Sequence, residues 1–223
     1  MTKNSSAPPT NNERSRSTRI RLSPWQVGIE RQSMRLRLEL GISDDQCLSH
    51  ELALALIPGC EVWALKNVPN VPFEHIVHFR NMARQFGAFA YKDRDGDYRI
   101  VFNDSYPPEA VRVYLMEEFY HIRLGHPFDK VRIYAEDSKP HRTHSDTKER
   151  EAYGCGAAAL VPFGGLESML ARGEHIGRIA EHYFVPLAVV EHRLAVTGLC
   201  ELLAQSPRQL SLLHSASSSA FRR

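Results

Sequence analysis

Apolar residues recur at helical spacing over residues 24–40 and again over residues 43–56, with Gly41-Ile42-Ser43 reading as a stop followed by the N-cap of the second helix. Pro58-Gly59 ends that stretch. Residues 61–65 are short and β-leaning, whereas residues 73–86 carry helical periodicity up to Gly87. Two β-leaning runs, 88–92 and 98–103, flank Arg94-Asp95-Gly96-Asp97. An Asp-Gly pair between such runs predicts a hairpin, because both turn residues tolerate positive φ. Pro107-Pro108 opens the next helix at its first turn, where a missing N–H costs little, and Gly125-His126-Pro127 closes it. A polar, histidine-bearing loop over residues 128–147 leads to a helix over about 148–160, closed by Val161-Pro162. Residues 174–199 read as two further short helices, and the Ser-rich stretch from Gln209 as frayed. No internal repeat is visible.

Composition changes this picture mainly at the ends. Residues 1–22 are rich in Ser, Asn, Pro, Thr and Arg with almost no large apolar side chain, a composition that cannot offset ordering entropy and predicts a flexible basic arm. The 223 residues, 43% hydrophobic, suffice for one domain with appendages. A net charge of +2 exerts no strong pull toward nucleic acid, although Arg14, Arg16, Arg19 and Arg21 make the arm locally basic. Cys47, Cys60, Cys155 and Cys200 lack CxxC spacing, and no apolar run follows Met1. The expectation is a reducing cytoplasm with free thiols and no secretion signal. No apolar run approaches the roughly 20 residues of a membrane-spanning helix, so no membrane association is expected.

The candidate chemistry lies in the helix opened by Pro107-Pro108. At 100° per residue, Val111, Leu115, Phe119 and Ile122 form one stripe, while Tyr114, Glu117, Glu118 and His121 share a separate arc. Arg112 and Arg123 lie together almost opposite that arc and predict the solvated face. Glu117 and His121, one turn apart, offer two donor atoms on one face, and Glu118 lies where a general base must be to take a proton from an attacking water. The spacing alone equally fits two solvent carboxylates and a hydrogen-bonded histidine.

The helix over 148–160 bears on that choice. Glu149 shares a face with Ala152, Tyr153, Gly156 and Leu160, whereas Glu151 points elsewhere. Small residues at 152 and 156 allow another helix to approach closely, which makes Glu149 the natural third donor. The alternative is that the glycines only relieve crowding and Glu149 caps its helix.

The run Glu117-Glu118-Phe-Tyr-His121-Ile-Arg-Leu-Gly-His126-Pro, followed by Glu149-Arg-Glu-Ala152-Tyr153-Gly-Cys-Gly156-Ala-Ala-Ala-Leu160-Val-Pro162, resembles the ImmA/IrrE family of metallo-endopeptidases. That family reads H-E-x-x-H-x-x-L-x-H, then E-x-x-A-N-x-F-A with L-x-P closing the helix. Similarity extends over residues 24–200. The resemblance implies an α+β fold: a compact zincin-like unit with a small antiparallel sheet, followed by a helix-turn-helix-like segment. With the arm over 1–22 and the tail over 206–223 that composition predicts, the chain divides into a peptidase-like domain over 23–165 and a helical subdomain over 166–205. The resemblance also implies metal ligands Glu117, His121 and Glu149, Glu118 as general base, and a structural part for His126. Tyr114, His141 and His144 are auxiliary candidates. Departures are Glu117 for the first histidine, Tyr153 for asparagine, and Cys155-Gly156 for Phe-Ala. A branch of the family reading E-E-x-x-H would make Glu117 a lineage trait.

The implied cofactor is a divalent metal. Family resemblance points to zinc, while two carboxylates and one imidazole form a harder set that also suits manganese or iron(II). Ligands that already neutralise the ion should leave it a weaker Lewis acid, so metal binding can survive while hydrolysis slows. The implied role is cleavage or inactivation of a repressor or other regulatory protein. The alternatives are a non-catalytic regulator that binds such a partner and, less favoured, a DNA binder using the C-terminal helices. In that last reading Glu191, His192 and Arg193 face outward, a set poor in basic and amide side chains for base readout.

Overall fold

Ser23 starts the first helix: its Oγ accepts from the Gln26 N–H at 3.1 Å, and Pro24 follows at the first helical position. The computed structural model describes residues 21–69, 77, 86–127 and 146–200. These form seven helices, a short 3₁₀ turn and a three-stranded sheet. In chain order they are α1 (Pro24–Glu39), α2 (His50–Leu54), β1 (Glu61–Ala64), β2 (Ala88–Lys92), β3 (Tyr98–Phe102), α3 (Pro108–Arg123), α4 (Asp146–Leu160), α5 (Phe163–Ala171), α6 (Ile176–Tyr183) and α7 (Leu187–Thr197). Among the described residues no single helix is long and apolar enough to cross a membrane. Residues 1–20 of the arm expected over 1–22, residues 128–145 of the loop expected over 128–147 and the whole tail expected over 206–223 lie outside the described residues. So does most of the helix expected over 73–86, although Val77 is helical.

The helix expected over 43–56 shrinks to the five residues of α2, capped by Ser49 rather than Ser43. Ser43 instead closes a turn with Gln46, whose side chain accepts from the Ser43 N–H at 2.8 Å. The carbonyls of Ser43 and Gln46 both turn onto the buried Arg37 guanidinium, leaving them no place in a helical ladder.

The architecture is α+β, but the sheet is mixed rather than antiparallel. Its order is β1-β3-β2, with β2 and β3 an antiparallel hairpin and β1 parallel to β3. Parallel pairing needs a long crossover, which local sequence signals cannot register. The hairpin loop also differs in detail: only Gly96 has positive φ, while the Asp93 carboxylate accepts from the Asp95 and Asp97 N–H groups at 3.0 Å each. Helix α5 falls between the Val161-Pro162 stop and residue 174, a stretch to which the local pattern assigns no element. Gly165 is there for space: a Cβ would lie 2.3 Å from the Asp44 carbonyl oxygen.

One apolar core unites these elements, with Ala90 and Ile100 from the sheet meeting Met116 and Phe119 of α3. Leu160, Ile179 and Val190 extend that core through α4, α6 and α7. Three buried arginines join the helices. Arg37 donates to the Ala159 carbonyl at 2.7 Å, and Arg193 to the Val161 carbonyl at 2.9 Å and to Glu30 at 2.7 Å. Arg112 donates to the Tyr183 and Phe184 carbonyls at 2.8 and 2.6 Å, and to Leu48. Cationic donors at helix C-termini satisfy carbonyls that the helix leaves unpaired.

This arrangement overturns two orientations read from the helical wheel. Arg112 is 5% exposed and faces the core, whereas Arg123 stays near solvent and pairs with Glu39. Arg193 is 1% exposed, and His192 packs edge-on against Tyr153. A wheel shows only angles; long arginine stems can carry charge across an apolar layer to backbone acceptors.

Candidate metal centre

Gly156 sets the distance between the two site helices. A Cβ there would lie 3.1 Å from the Met116 carbonyl carbon and 3.2 Å from the Glu117 nitrogen, so α4 rests directly on the α3 backbone. That close passage carries Glu149, two turns earlier on α4, to His121: Nε2 and Oε1 lie 3.4 Å apart. Gly156→Val is expected to push the helices apart, lowering stability by about 1–3 kcal/mol through overpacking. Urea unfolding measures the loss, and chelator competition should show weakened metal binding; wild-type values for both would mean that the spacing does not matter.

One donor atom each from Glu117, His121 and Glu149 lies within 4.8 Å of the others. Glu118 stands beside them, 8% exposed, and its Oε2 accepts from the Ala90 N–H of β2 at 2.9 Å. His121 is 7% exposed, while Glu117 and Glu149 are half-buried. Burial by itself lowers the His121 pKa. The hydrogen bond to Glu149 and the charges of Glu118, Glu149 and Glu117 outweigh it, so the net direction is upward.

The donor chemistry fits a divalent cation. Two carboxylates at about 4 Å repel by roughly 1 kcal/mol in water and roughly 4 kcal/mol near a protein surface, and a dication between them reverses the sign. Carboxylate oxygen and imidazole nitrogen are ligands for zinc, manganese and iron(II) alike.

Other candidates fall into place around this centre. Tyr114 sits edge-on to Tyr106, and burial raises its phenol pKa with help from Tyr106 and Glu117. The Tyr153 phenol is likewise raised by burial and by the Glu117 charge. Cys155 is fully buried, which pushes its thiol up to about 12, so that departure concerns packing. His141 and His144 lie outside the described residues.

Glu151, on another face of α4 than Glu149, still reaches the site indirectly. His126 Nδ1 lies 3.1 Å from His121 Nδ1, and His126 Nε2 lies 3.4 Å from Glu151 Oε2. Glu151 thus reaches the site through His126. The signal was a histidine five residues after His121 and a carboxylate two after Glu149, neither on the expected face. Burial, then the adjacent His121 charge, lower the His126 pKa.

A family model described as the IrrE N-terminal-like domain, of peptidase family M78, matches residues 75–195. No individual curated protein and no solved structure matches the chain. The matched span holds the hairpin, both site helices and α6, together with almost all of α7. It covers more than half of the 223 residues, and so the chain belongs to the IrrE N-terminal-like domain family of M78 metallopeptidases.

Proposed function

We propose that the chain is a divalent-metal-dependent endopeptidase that cleaves or inactivates a regulatory protein, such as a transcriptional repressor. The observation that supports this most is the meeting of Glu117, His121 and Glu149 donor atoms within 4.8 Å, with the Glu118 carboxylate beside them. Glu117, His121 and Glu149 would hold the metal. When bound, a divalent ion supplies Lewis acidity to the scissile carbonyl and the attacking water. Glu118 takes a proton from that water and delivers it to the leaving amine, while the Ala90 N–H keeps its carboxylate in position.

Glu117 also favours a second reading. With two anionic ligands the ion is a weaker Lewis acid, which suits a protein that retains metal and partner but hydrolyses slowly. The exposed positions of α7, namely Leu187, Ala188, Glu191, Ala195 and Val196, include no basic side chain, so DNA contact is not part of either reading.

Elemental analysis of protein purified without a histidine tag tests the proposal. About one manganese, iron or zinc per chain is expected, and Glu117→Ala with His121→Ala should remove it. A metal-free wild type with undiminished partner binding would leave the non-catalytic regulator standing. The raised His121 pKa adds a pH test with a definite sign. Metal must displace the Nε2 proton, so below that raised pKa affinity should fall about tenfold per pH unit. In metal-free protein the same shift stabilises the fold fully below the ordinary value of 6.5, and this contribution is lost as pH rises through the raised value. Metal affinity that stays flat from acid to neutral pH would remove His121 from the ligand set.

A further inference from the structure

We propose that the outer face of α1, together with the basic chain that leads into it, docks on an anionic lipid surface. Charge is segregated along this sequence. Residues 1–38 hold eight of its 28 basic side chains and only two of its 26 acidic ones, so this stretch is strongly positive and the remainder is net negative. Five of the eight, namely Lys3, Arg14, Arg16, Arg19 and Arg21, precede α1 directly. The carboxylates of α1 do not offset them, because Glu30 pairs with Arg193 and Glu39 with Arg123.

Helix α1 also carries apolar side chains on two sides. The inner side belongs to the core: Ile29 lies against Gly154 of α4, Ser33 Oγ donates to the Ala158 carbonyl at 2.8 Å, and Leu36 is fully buried. A surface helix of this kind is normally polar on its other side. Here that side presents Leu38 at 74% exposure, the highest of any large apolar side chain among the described residues, with Met34 one turn before it at 56%. Trp25, 43% exposed, stands near the start of the helix. Arg31 and Arg35, also exposed and one turn apart, share an arc of about 100° with Met34 and Leu38. The apolar pair decides what the cations meet. Nucleic acid supplies phosphates but no apolar layer for Met34 and Leu38 to enter, and a second copy would bring like charges together. An anionic bilayer supplies both, with headgroups for the arginines and acyl chains just beneath for Leu38 and Met34. Such docking needs no membrane-crossing helix, and among the described residues no single helix is long and apolar enough to be one.

Co-sedimentation of the full chain with vesicles of equal parts phosphatidylglycerol and phosphatidylcholine, against phosphatidylcholine alone, tests this. Binding to the anionic vesicles alone is expected, weakening as salt rises. Each cation near an anionic surface contributes about fivefold in affinity, so Arg31→Ala with Arg35→Ala should weaken binding about tenfold or more. Met34→Ala with Leu38→Ala keeps the charge and should still weaken it about fivefold, through lost apolar contact. All four side chains are exposed and alanine is a strong helix former, so both variants should unfold at the wild-type midpoint. The proposal is overturned if the chain ignores anionic vesicles, or if either double variant binds them as wild type does. Tighter binding to a DNA duplex than to the vesicles, indifferent to the Met34 and Leu38 substitutions, would overturn it in favour of nucleic acid. None of these residues belongs to the metal centre, so vesicle binding and metal binding succeed or fail independently.

Discussion

Glu118→Gln is expected to lower peptide-bond cleavage by about 10²–10⁴-fold while leaving metal content unchanged. The amide is nearly isosteric, and its oxygen can still accept from the Ala90 N–H, so the geometry between α3 and β2 survives. What disappears is the capacity to take a proton from water and return it to the leaving amine. Because Glu118 is not among the three converging donors, the cation should remain. Cleavage of a proteome-derived peptide library, read by mass spectrometry, measures the loss whatever the natural substrate. Cleavage at the wild-type rate by the variant would exclude Glu118 as the base.

Arg112→Met is expected to cost about 3 kcal/mol of stability or more. Methionine preserves much of the buried stem but removes the donors that serve the Tyr183, Phe184 and Leu48 carbonyls. Those acceptors lie at the end of α6 and the entry to α2, around an arginine that is 5% exposed, where a carbonyl left without a donor is costly. Phe184 compounds the cost, since it holds a left-handed conformation at φ 51°, unfavourable for a side chain of its size, and its ring lies 5.4 Å from the guanidinium carbon. Urea unfolding measures the loss. A change below about 1 kcal/mol would mean that the carbonyls find other partners. The metal site lies further along α3, so the folded fraction of the variant should retain its metal affinity.

These expectations show how unevenly the chain could be read. Proline and glycine punctuation placed α1, α3 and α4 to within a residue or two, because a missing N–H or a left-handed terminus acts locally. The 3.6-residue period likewise set Glu117, Glu118 and His121 on one arc. It failed for Arg112 and Arg193, whose side chains cross apolar layers to carbonyls 71 and 32 residues away in sequence. It failed for Ser43 because the competing donor to its carbonyl, Arg37, belongs to another element. The parallel pairing of β1 with β3 and the helix through Gly164-Gly165 were missed for the same reason: each is stabilised by a partner that the local pattern does not contain.

The amino-acid sequence by itself determined the residue types of the site, their spacing on two helices and the small residues that let those helices meet, since all three follow from helical geometry and side-chain volume. Only the tertiary structure decided that Gly156 touches the backbone at Met116, that Glu149 thereby reaches His121, that Ala90 holds Glu118, and that Glu151 joins through His126. Each of those contacts joins residues from different parts of the chain, at ångström separations set by how whole elements pack, which no local periodicity encodes.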